Sequence, residues 1–132
     1  MAFDPVGYVR YNKNAFERWE KHNMPDRYYS IDDLTFVWDE DKNQRNIRKH
    51  GIDFETAALV FNDDLRLEFP DLEHSEEEDR YNTIGLVEDV LFVVYCDREN
   101  QDTKTTDIRI ISARLADKYE IAAYNNNIYG RL

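Results

Sequence analysis

Apolar and polar residues alternate along several short stretches of the chain, as they do in β-strands. LTFVWD, at residues 34–39, is the first such stretch, and LRLEF, RYNTIGLVE, VLFVVYCD and DIRIISAR follow it. VLFVVYCD is continuously apolar, which is typical of a central strand buried on both faces. These patterns predict a short first strand and then an antiparallel meander of about four strands.

Helical patterns lie on either side of the meander. Asp39 is a good N-cap residue, acidic residues follow it, and basic residues precede Gly51, a typical left-handed residue after a helix. DFETAALVF, at residues 53–61, and LADKYEIAAYNNNIY, at residues 115–129, predict two more helices. We therefore predict an α+β domain, with two N-terminal helices and a C-terminal helix packed on an antiparallel sheet of about four strands.

The first 35 residues differ from the rest in their pattern. NAFERWEKHN, at residues 14–23, is a helical candidate, and MPDRYYSIDDL, at residues 24–34, is interpreted as a loop. We expect residues 1–35 to form an N-terminal extension and residues 36–132 to form the main domain.

Composition limits the class of protein. The 132 residues fit one domain, and a hydrophobic content of 42% is typical of a globular fold. The formal net charge of -11 argues against a general nucleic-acid coat but leaves room for a local basic cleft. Neither a signal peptide nor a membrane-length apolar run is visible, so we expect a cytoplasmic protein without membrane contact. The single cysteine, Cys96, is predicted to be a buried structural thiol.

Motifs that would bind phosphate or metal are not evident. The chain has no glycine-rich phosphate loop and no HExxH, and its three histidines are scattered. The acidic stretch DLEHSEEED, at residues 71–79, lacks the spacing of a calcium loop and is interpreted as a solvated charge run. The remaining candidates are basic residues on predicted helices and strands: Lys42, Arg45, Lys49, His50, Arg80, Arg98, Arg109 and Arg114.

Two of these arginines share one predicted strand. Arg109 lies between Ile108 and Ile110, whereas Arg114 is in phase with those isoleucines. A regular strand would therefore place the two arginines on opposite faces, unless a bulge intervenes. An ion pair with the acidic surface and a functional role remain open for each of them.

Three blocks of sequence together resemble the BrnT family of type II toxin-antitoxin ribonucleases. The blocks follow the patterns WDxxKxxxNxxKHGxxFxxA, ExRxxxIG and IRIISAR with a downstream Glu and Tyr. They occur in order over residues 36 to 124. The residues that carry the resemblance are Trp38, Asp39, Lys42, Asn46, Lys49, His50, Gly51, Phe54, Ala57, Glu78, Arg80, Ile84, Gly85, Arg109, Ser112, Ala113, Arg114, Glu120 and Tyr124.

This resemblance implies a RelE-like α+β fold and a metal-independent endoribonuclease that needs no cofactor. It also implies an antitoxin partner that carries a DNA-binding domain, so that DNA is contacted only through the antitoxin. RNA is the implied substrate. A homodimer is compatible with the resemblance.

Cleavage of RNA without metal implies roles for the matching residues. The ribose 2′-hydroxyl attacks the adjacent phosphate, which requires a base, an acid for the leaving oxygen, and cations for the developing charge. We expect His50 to transfer protons and Arg80 and Arg114 to hold the phosphate. Positioning of RNA is expected from Lys42, Lys49 and Arg109. A purely structural role for His50, as a cation at the end of its helix, remains the alternative.

Some features favour a different class of protein. Leu115 and Asp117 stand where the family usually has an arginine and a neutral residue, and the chain is strongly acidic. The alternative is therefore a non-catalytic interaction module that binds an antitoxin or itself. A metal-dependent hydrolase that uses the carboxylates of residues 71–79 is a third hypothesis, and it predicts inhibition by EDTA.

Overall fold

The computed structural model describes residues 26–74 and 78–129. Its strands are β1 (Asp26–Ile31), β2 (Leu34–Asp39), β3 (Leu67–Pro70), β4 (Arg80–Leu86), β5 (Val90–Glu99) and β6 (Thr106–Leu115). They form one six-stranded sheet in the order β1-β2-β6-β5-β4-β3. The β2–β6 pair is parallel and the other four pairs are antiparallel, so the sheet is mixed.

Three α-helices accompany the sheet in the described part of the chain. They are α1 (Glu40–His50), α2 (Phe54–Ala58) and α3 (Lys118–Tyr129), and a short 3₁₀ helix, Leu59–Asn62, continues from α2. None of these helices is long and apolar enough to cross a membrane.

The predicted α+β class is confirmed, but the predicted strand count is wrong. The sheet has six strands rather than about four, because LTFVWD joins it in parallel with β6 and β1 is added at the edge. The interpretation of residues 24–34 as a loop is also wrong, since Asp26–Ile31 is a strand. Strand β1 shows little apolar alternation, so its structure comes from pairing with β2 across a tight turn at Asp32 and Asp33.

The placement of the helices also differs from the prediction. Strands β1 and β2 precede α1 and α2, so these are not the first elements of the domain. The predicted second helix is shorter than expected, because its last turn is 3₁₀. The boundary predicted at residue 35 stays a prediction, although β1 and the start of β2 lie before it in the same sheet. The helical candidate at residues 14–23 lies outside the described residues.

Helix α1 begins and ends where its local sequence predicts. The side chain of Asp39 accepts hydrogen bonds from the backbone N–H groups of Asp41 and Lys42, at 2.9 and 3.2 Å. Gly51 follows the helix with φ of 72°, and its N–H donates to the carbonyl oxygen of Ile47 at 2.8 Å. Acidic residues at the start and basic residues at the end agree in sign with the helix dipole.

The hydrophobic core lies between one face of the sheet and the helices α1 and α2. Aromatic rings dominate it, with Phe36, Phe61 and Tyr95 in contact at centroid distances of 5.0–5.2 Å. Asn46 ties α1 to this face, because its side-chain amide donates to the carbonyl oxygen of Ala113 at 2.8 Å and accepts from the Ala113 N–H at 3.2 Å. We call this side of the sheet the core face.

Helix α3 is held to the domain by polar contacts near both ends. Asp117 and Glu120 exchange side-chain and backbone hydrogen bonds in a capping box. Farther along, the hydroxyl of Tyr124 donates to Asp63 at 2.5 Å, and the side chain of Asn127 donates to the Leu65 carbonyl oxygen at 3.1 Å. The helix is thereby fixed beside β4.

Candidate functional site

The second face of the sheet points away from α1 and α2 and carries arginines. Cross-strand pairs show which residues share it, because directly opposed residues lie on the same face. Arg80 pairs with Cys96, and Cys96 pairs with Arg109. We call this the outer face, and its residues on β4, β5 and β6 are Arg80, Asn82, Ile84, Leu86, Val90, Phe92, Val94, Cys96, Arg98, Asp107, Arg109, Ser112 and Arg114.

A β-bulge in β6 places Arg109 and Arg114 on the same face. Ile110 pairs with Tyr95 and Ser112 pairs with Val94, which leaves Ile111 as an extra residue in β6. The extra residue inverts the alternation, so Ile110 and Ala113 both enter the core while the two arginines lie on the outer face. The opposite placement expected for a regular strand does not occur.

Arg109 is held by an aspartate at the edge of the sheet. Its guanidinium donates to both carboxylate oxygens of Asp26 on β1, at 3.1 and 3.4 Å. Burial lowers the pKa of Arg109, but the hydrogen bonds and charge of Asp26 outweigh burial and raise the pKa above its usual value. Arg109 therefore stays charged on the outer face.

Glu78 organises the part of this face that lies around Arg80. Its carboxylate lies 3.6 Å from Nε of Arg80 and 3.3 Å from a guanidinium nitrogen of Arg98, and it accepts from the thiol of Cys96 at 3.5 Å. Burial alone would raise the pKa of Glu78, but the Cys96 and Arg98 hydrogen bonds and the two positive charges lower it. The thiol is fully buried, as the sequence predicts, and burial raises its pKa to about 11.

Arg114 lies between α3 and an aromatic ring. It makes a two-pronged ion pair with Glu120, at 2.7 and 2.9 Å, and its guanidinium carbon lies 4.2 Å from the ring centroid of Phe92. The hydrogen bonds from Arg114 to Glu120 are the main reason that the pKa of this arginine is raised. A ligand that competes with Glu120 would meet a guanidinium already oriented by the ring beneath it.

A groove of about 360 Å³ lies on the outer face beside Arg80. Asn82, Val94 and Ser112 form part of its lining. The loop after β3 supplies the other wall with Asp71, Glu73 and His74, residues that belong to the acidic stretch interpreted above as a solvated charge run. No sequence motif links His74 to Arg80, six residues later in the chain, and their shared position in the groove is visible only in the structure.

His50 lies in a different place from the arginines. It lines a second cavity, of about 440 Å³, between the end of α1 and the turn from β4 to β5. Leu91 and Leu115, which belong to the core face, also line this cavity. Since Arg80 and Arg114 lie on the outer face, the structure does not bring the three predicted catalytic residues into one cavity. Their catalytic roles remain predictions.

The predicted RNA-positioning residues are likewise divided between the two sides. Lys42 and Lys49 are exposed on α1, whereas Arg109 lies on the outer face of the sheet. Exposed Arg45 also lies on α1 and forms an ion pair with Asp41 at 3.2 Å. The basic surface of α1 is thus separate from the groove. Within the described ranges, no group of three or more histidine, cysteine or acidic side chains is arranged to hold a metal ion.

Fold and site together define a small α+β protein whose sheet carries arginines on the face away from its first two helices. The sequence profile of the ribonuclease toxin BrnT, of type II toxin-antitoxin systems, matches residues 38–120. The chain belongs to this family, which confirms the resemblance found in its three sequence blocks. A search of curated proteins finds no match. Membership implies RNA as the substrate and an antitoxin as the partner.

Proposed function

We propose that this protein is a metal-independent endoribonuclease toxin that cleaves RNA in the groove of the outer face. The observation that carries the proposal is the bulge in β6, which puts Arg114 on the same face of the sheet as Arg80 and Arg109. Arginine stays charged at physiological pH and matches the geometry of phosphate oxygens. The RelE-like fold expected for the family forms part of this proposal.

In the proposed reaction the ribose 2′-oxygen forms a bond to the adjacent phosphorus, and the bond from phosphorus to the 5′-oxygen breaks. The products are a 2′,3′-cyclic phosphate and a 5′-hydroxyl. Arg80 lines the groove and is placed to stabilise the negative charge that develops on the phosphate. Arg109 and Arg114 exchange their carboxylate partners, Asp26 and Glu120, for neighbouring phosphates of the RNA.

His50 has no part in this reaction as we propose it, because it lines the cavity on the other side of the sheet. Its position in the last turn of α1, at the negative end of the helix dipole, supports the structural alternative. Lys42 and Lys49 are exposed on α1 and remain candidates for attracting RNA at longer range.

Replacement of Arg80 by alanine tests the groove as the site of cleavage. We expect Arg80→Ala to lower kcat/KM on single-stranded RNA by about 10²-fold or more, since one positioned charge donor is lost from the transition state. Arg27→Ala removes an exposed arginine that lies outside both the groove and the basic surface of α1, and it serves as the matched control, with activity retained. Circular dichroism of both variants checks that the fold is intact. Equal activity of Arg80→Ala and wild type would place cleavage elsewhere.

The chemistry of the products separates the proposed reaction from metal-dependent hydrolysis. We expect cleavage to continue in EDTA, to stop when the 2′-hydroxyl at the cleaved position is replaced by hydrogen, and to leave a cyclic phosphate detectable by mass spectrometry. Loss of activity in EDTA, with recovery on adding a divalent cation, would instead favour a metal-dependent hydrolase.

A non-catalytic interaction module is the second candidate function. It is favoured by the carboxylate partners of the outer-face arginines, since Glu78, Asp26 and Glu120 lie within ion-pair distance of Arg80, Arg109 and Arg114 respectively. This candidate predicts that pure protein binds the antitoxin but cleaves no RNA in the same assay.

The proposal extends to the partner and the compartment. We propose a cytoplasmic toxin that is neutralised by an antitoxin with a DNA-binding domain, so that only the antitoxin contacts DNA. A basic segment of the antitoxin would associate rapidly with this protein, because the net charge of the toxin is -11. Self-association into a homodimer remains compatible with the proposal.

A further inference from the structure

A histidine and an aspartate form a pair at the wall of the groove. Nδ1 of His74 lies 3.2 and 3.1 Å from the two carboxylate oxygens of Asp71. An ionised carboxylate only accepts hydrogen bonds, so the Nδ1–H of His74 is the donor. This assignment leaves Nε2 of the neutral imidazole with a lone pair that can accept a proton.

The backbone brings this pair next to Arg80. The N–H of Asp71 donates to the carbonyl oxygen of Arg80 at 2.8 Å, which extends the β3–β4 pairing by one residue. The carboxylate of Asp71 is largely buried, at 13% exposure, whereas the side chain of His74 is 64% exposed. The aspartate is therefore fixed to the sheet, while the imidazole can be reached by a ligand in the groove.

The contents of the groove match the requirements of the proposed reaction. Attack by a ribose hydroxyl requires a proton acceptor and a cation for the phosphate within one site. His74 and Arg80 line the same groove and supply these two groups, and Ser112 and Asn82 add neutral hydrogen-bonding side chains. His50, the histidine that the family resemblance favours, lines the other cavity.

We propose that His74 is the general base of the RNA cleavage and that Asp71 is its positioning residue. This inference rests on the proposed ribonuclease function. Nε2 of His74 takes the proton of the 2′-hydroxyl while the 2′-oxygen bonds to phosphorus. The 5′-oxygen leaves with the electron pair of its bond to phosphorus and takes a proton from water. The hydroxide that remains is neutralised by the proton of the imidazolium, which restores the enzyme.

The kinetic test compares two histidines and keeps binding separate from chemistry. His74→Gln should lower kcat on single-stranded RNA by about 10²- to 10⁴-fold, the range for loss of a general base. Affinity for a 2′-deoxy oligonucleotide, which binds but cannot react, should stay close to that of wild type. His50→Gln is assayed beside it, and Glu99→Gln, a change at the exposed end of β5, is the surface control.

Asp71→Asn tests the positioning role by separating kcat from KM. Nδ1 of His74 lies 3.2 and 3.1 Å from the carboxylate oxygens of Asp71, so this carboxylate sets the orientation of the imidazole. In Asp71→Asn kcat should fall, while KM for single-stranded RNA should stay close to that of wild type, because the imidazole loses the partner that orients it but the phosphate-binding arginine remains. Glu73 and Arg80, the other charged residues that line the groove, are unchanged in both proteins.

The outcomes separate this inference from the function on which it rests. Cleavage by wild type, together with loss of kcat in His74→Gln and a lower kcat at unchanged KM in Asp71→Asn, supports both. Cleavage by wild type with full activity in His74→Gln, or loss in His50→Gln instead, overturns the role of His74 and leaves the ribonuclease standing. Absence of cleavage by wild type overturns both.

Discussion

Gly85 lies where β4 passes close to the 3₁₀ helix. A Cβ atom at this position would lie 2.7 Å from Cγ1 of Val60 and 3.2 Å from Cβ of Arg66. Val60 is fully buried, so it cannot move aside into solvent. We expect Gly85→Ala to lower the free energy of unfolding by about 1–3 kcal/mol, the usual cost of overpacking a core, as measured by urea denaturation.

A double-mutant cycle checks the cause of that loss. Val60→Ala removes the methyl group that a Cβ at position 85 would meet. The double variant should therefore lose less stability than the sum of the two single variants. Strict additivity would show that contact with Val60 is not the reason for glycine at position 85.

Residues of the family pattern fall into two groups when their contacts are compared. Asn46, Gly51 and Gly85 have structural roles, in an anchor to β6, a helix end and a close approach. Arg80 and Arg109 lie instead on the outer face. The sequence identified all five, but it could not separate the groups, because the distinction depends on which face each side chain meets.

At the scale of single elements, the attachment of α3 to the rest of the domain depends on polar contacts. Tyr124 is buried at 3% exposure, and its hydroxyl donates to Asp63, which also accepts from the Leu86 N–H. Burial and the hydrogen bond to Asp63 raise the pKa of Tyr124 to about 12. This one aspartate thus joins the end of the 3₁₀ helix, β4 and α3.

Tyr124→Phe should loosen α3 more than the rest of the domain. The loss of a hydrogen bond to a charged group costs about 1.5–3 kcal/mol, and this bond joins α3 to the end of the 3₁₀ helix. Hydrogen exchange should therefore become faster for the amides of α3 than for those of β5. Tyr119→Phe is the matched control, because Tyr119 is 75% exposed on the same helix. Uniform changes across the chain would contradict an anchoring role.

The strands differ in how far local sequence predicts them. Strands β4, β5 and β6 were predicted because alternating or continuous apolar runs mark half-buried and buried strands. Strand β1 was missed, because an edge strand with exposed side chains has no such pattern. The sequence does not predict the bulge at Ile111, since it depends on the pairing register of β5 with β6.

For the whole molecule, three carboxylates link stability to pH. The pKa values of Glu40, Asp63 and Glu78 are lowered from their ordinary values of 4.5, 3.8 and 4.5, because hydrogen bonds and nearby arginines outweigh burial in each case. A lowered pKa in the folded state means that the unfolded chain binds more protons in acid. The stabilisation is therefore fully present above these ordinary values and is lost as pH falls through the folded pKa values.

This linkage predicts how one variant responds to acid. The difference in free energy of unfolding between wild type and Asp63→Asn should be largest at neutral pH and should shrink as pH falls below 3.8. Thermal and urea unfolding between pH 7 and pH 3 measure it. Asp102→Asn, in an exposed loop, is the control and should follow wild type throughout. A difference that grows in acid would have the wrong sign.

The sequence by itself determined the features that depend on neighbouring residues or on a local pattern. These are the ends of α1, the strands of the meander, the buried thiol and the family. Tertiary structure alone decided which side chains meet across the sheet. The register of β5 with β6 turned Arg114 to the outer face, and the pairing of β3 with β4 brought His74 to Arg80. The same packing placed His50 on the other side. The physical reason is that these contacts depend on the register and packing of separate elements, which the order of residues within one element does not specify.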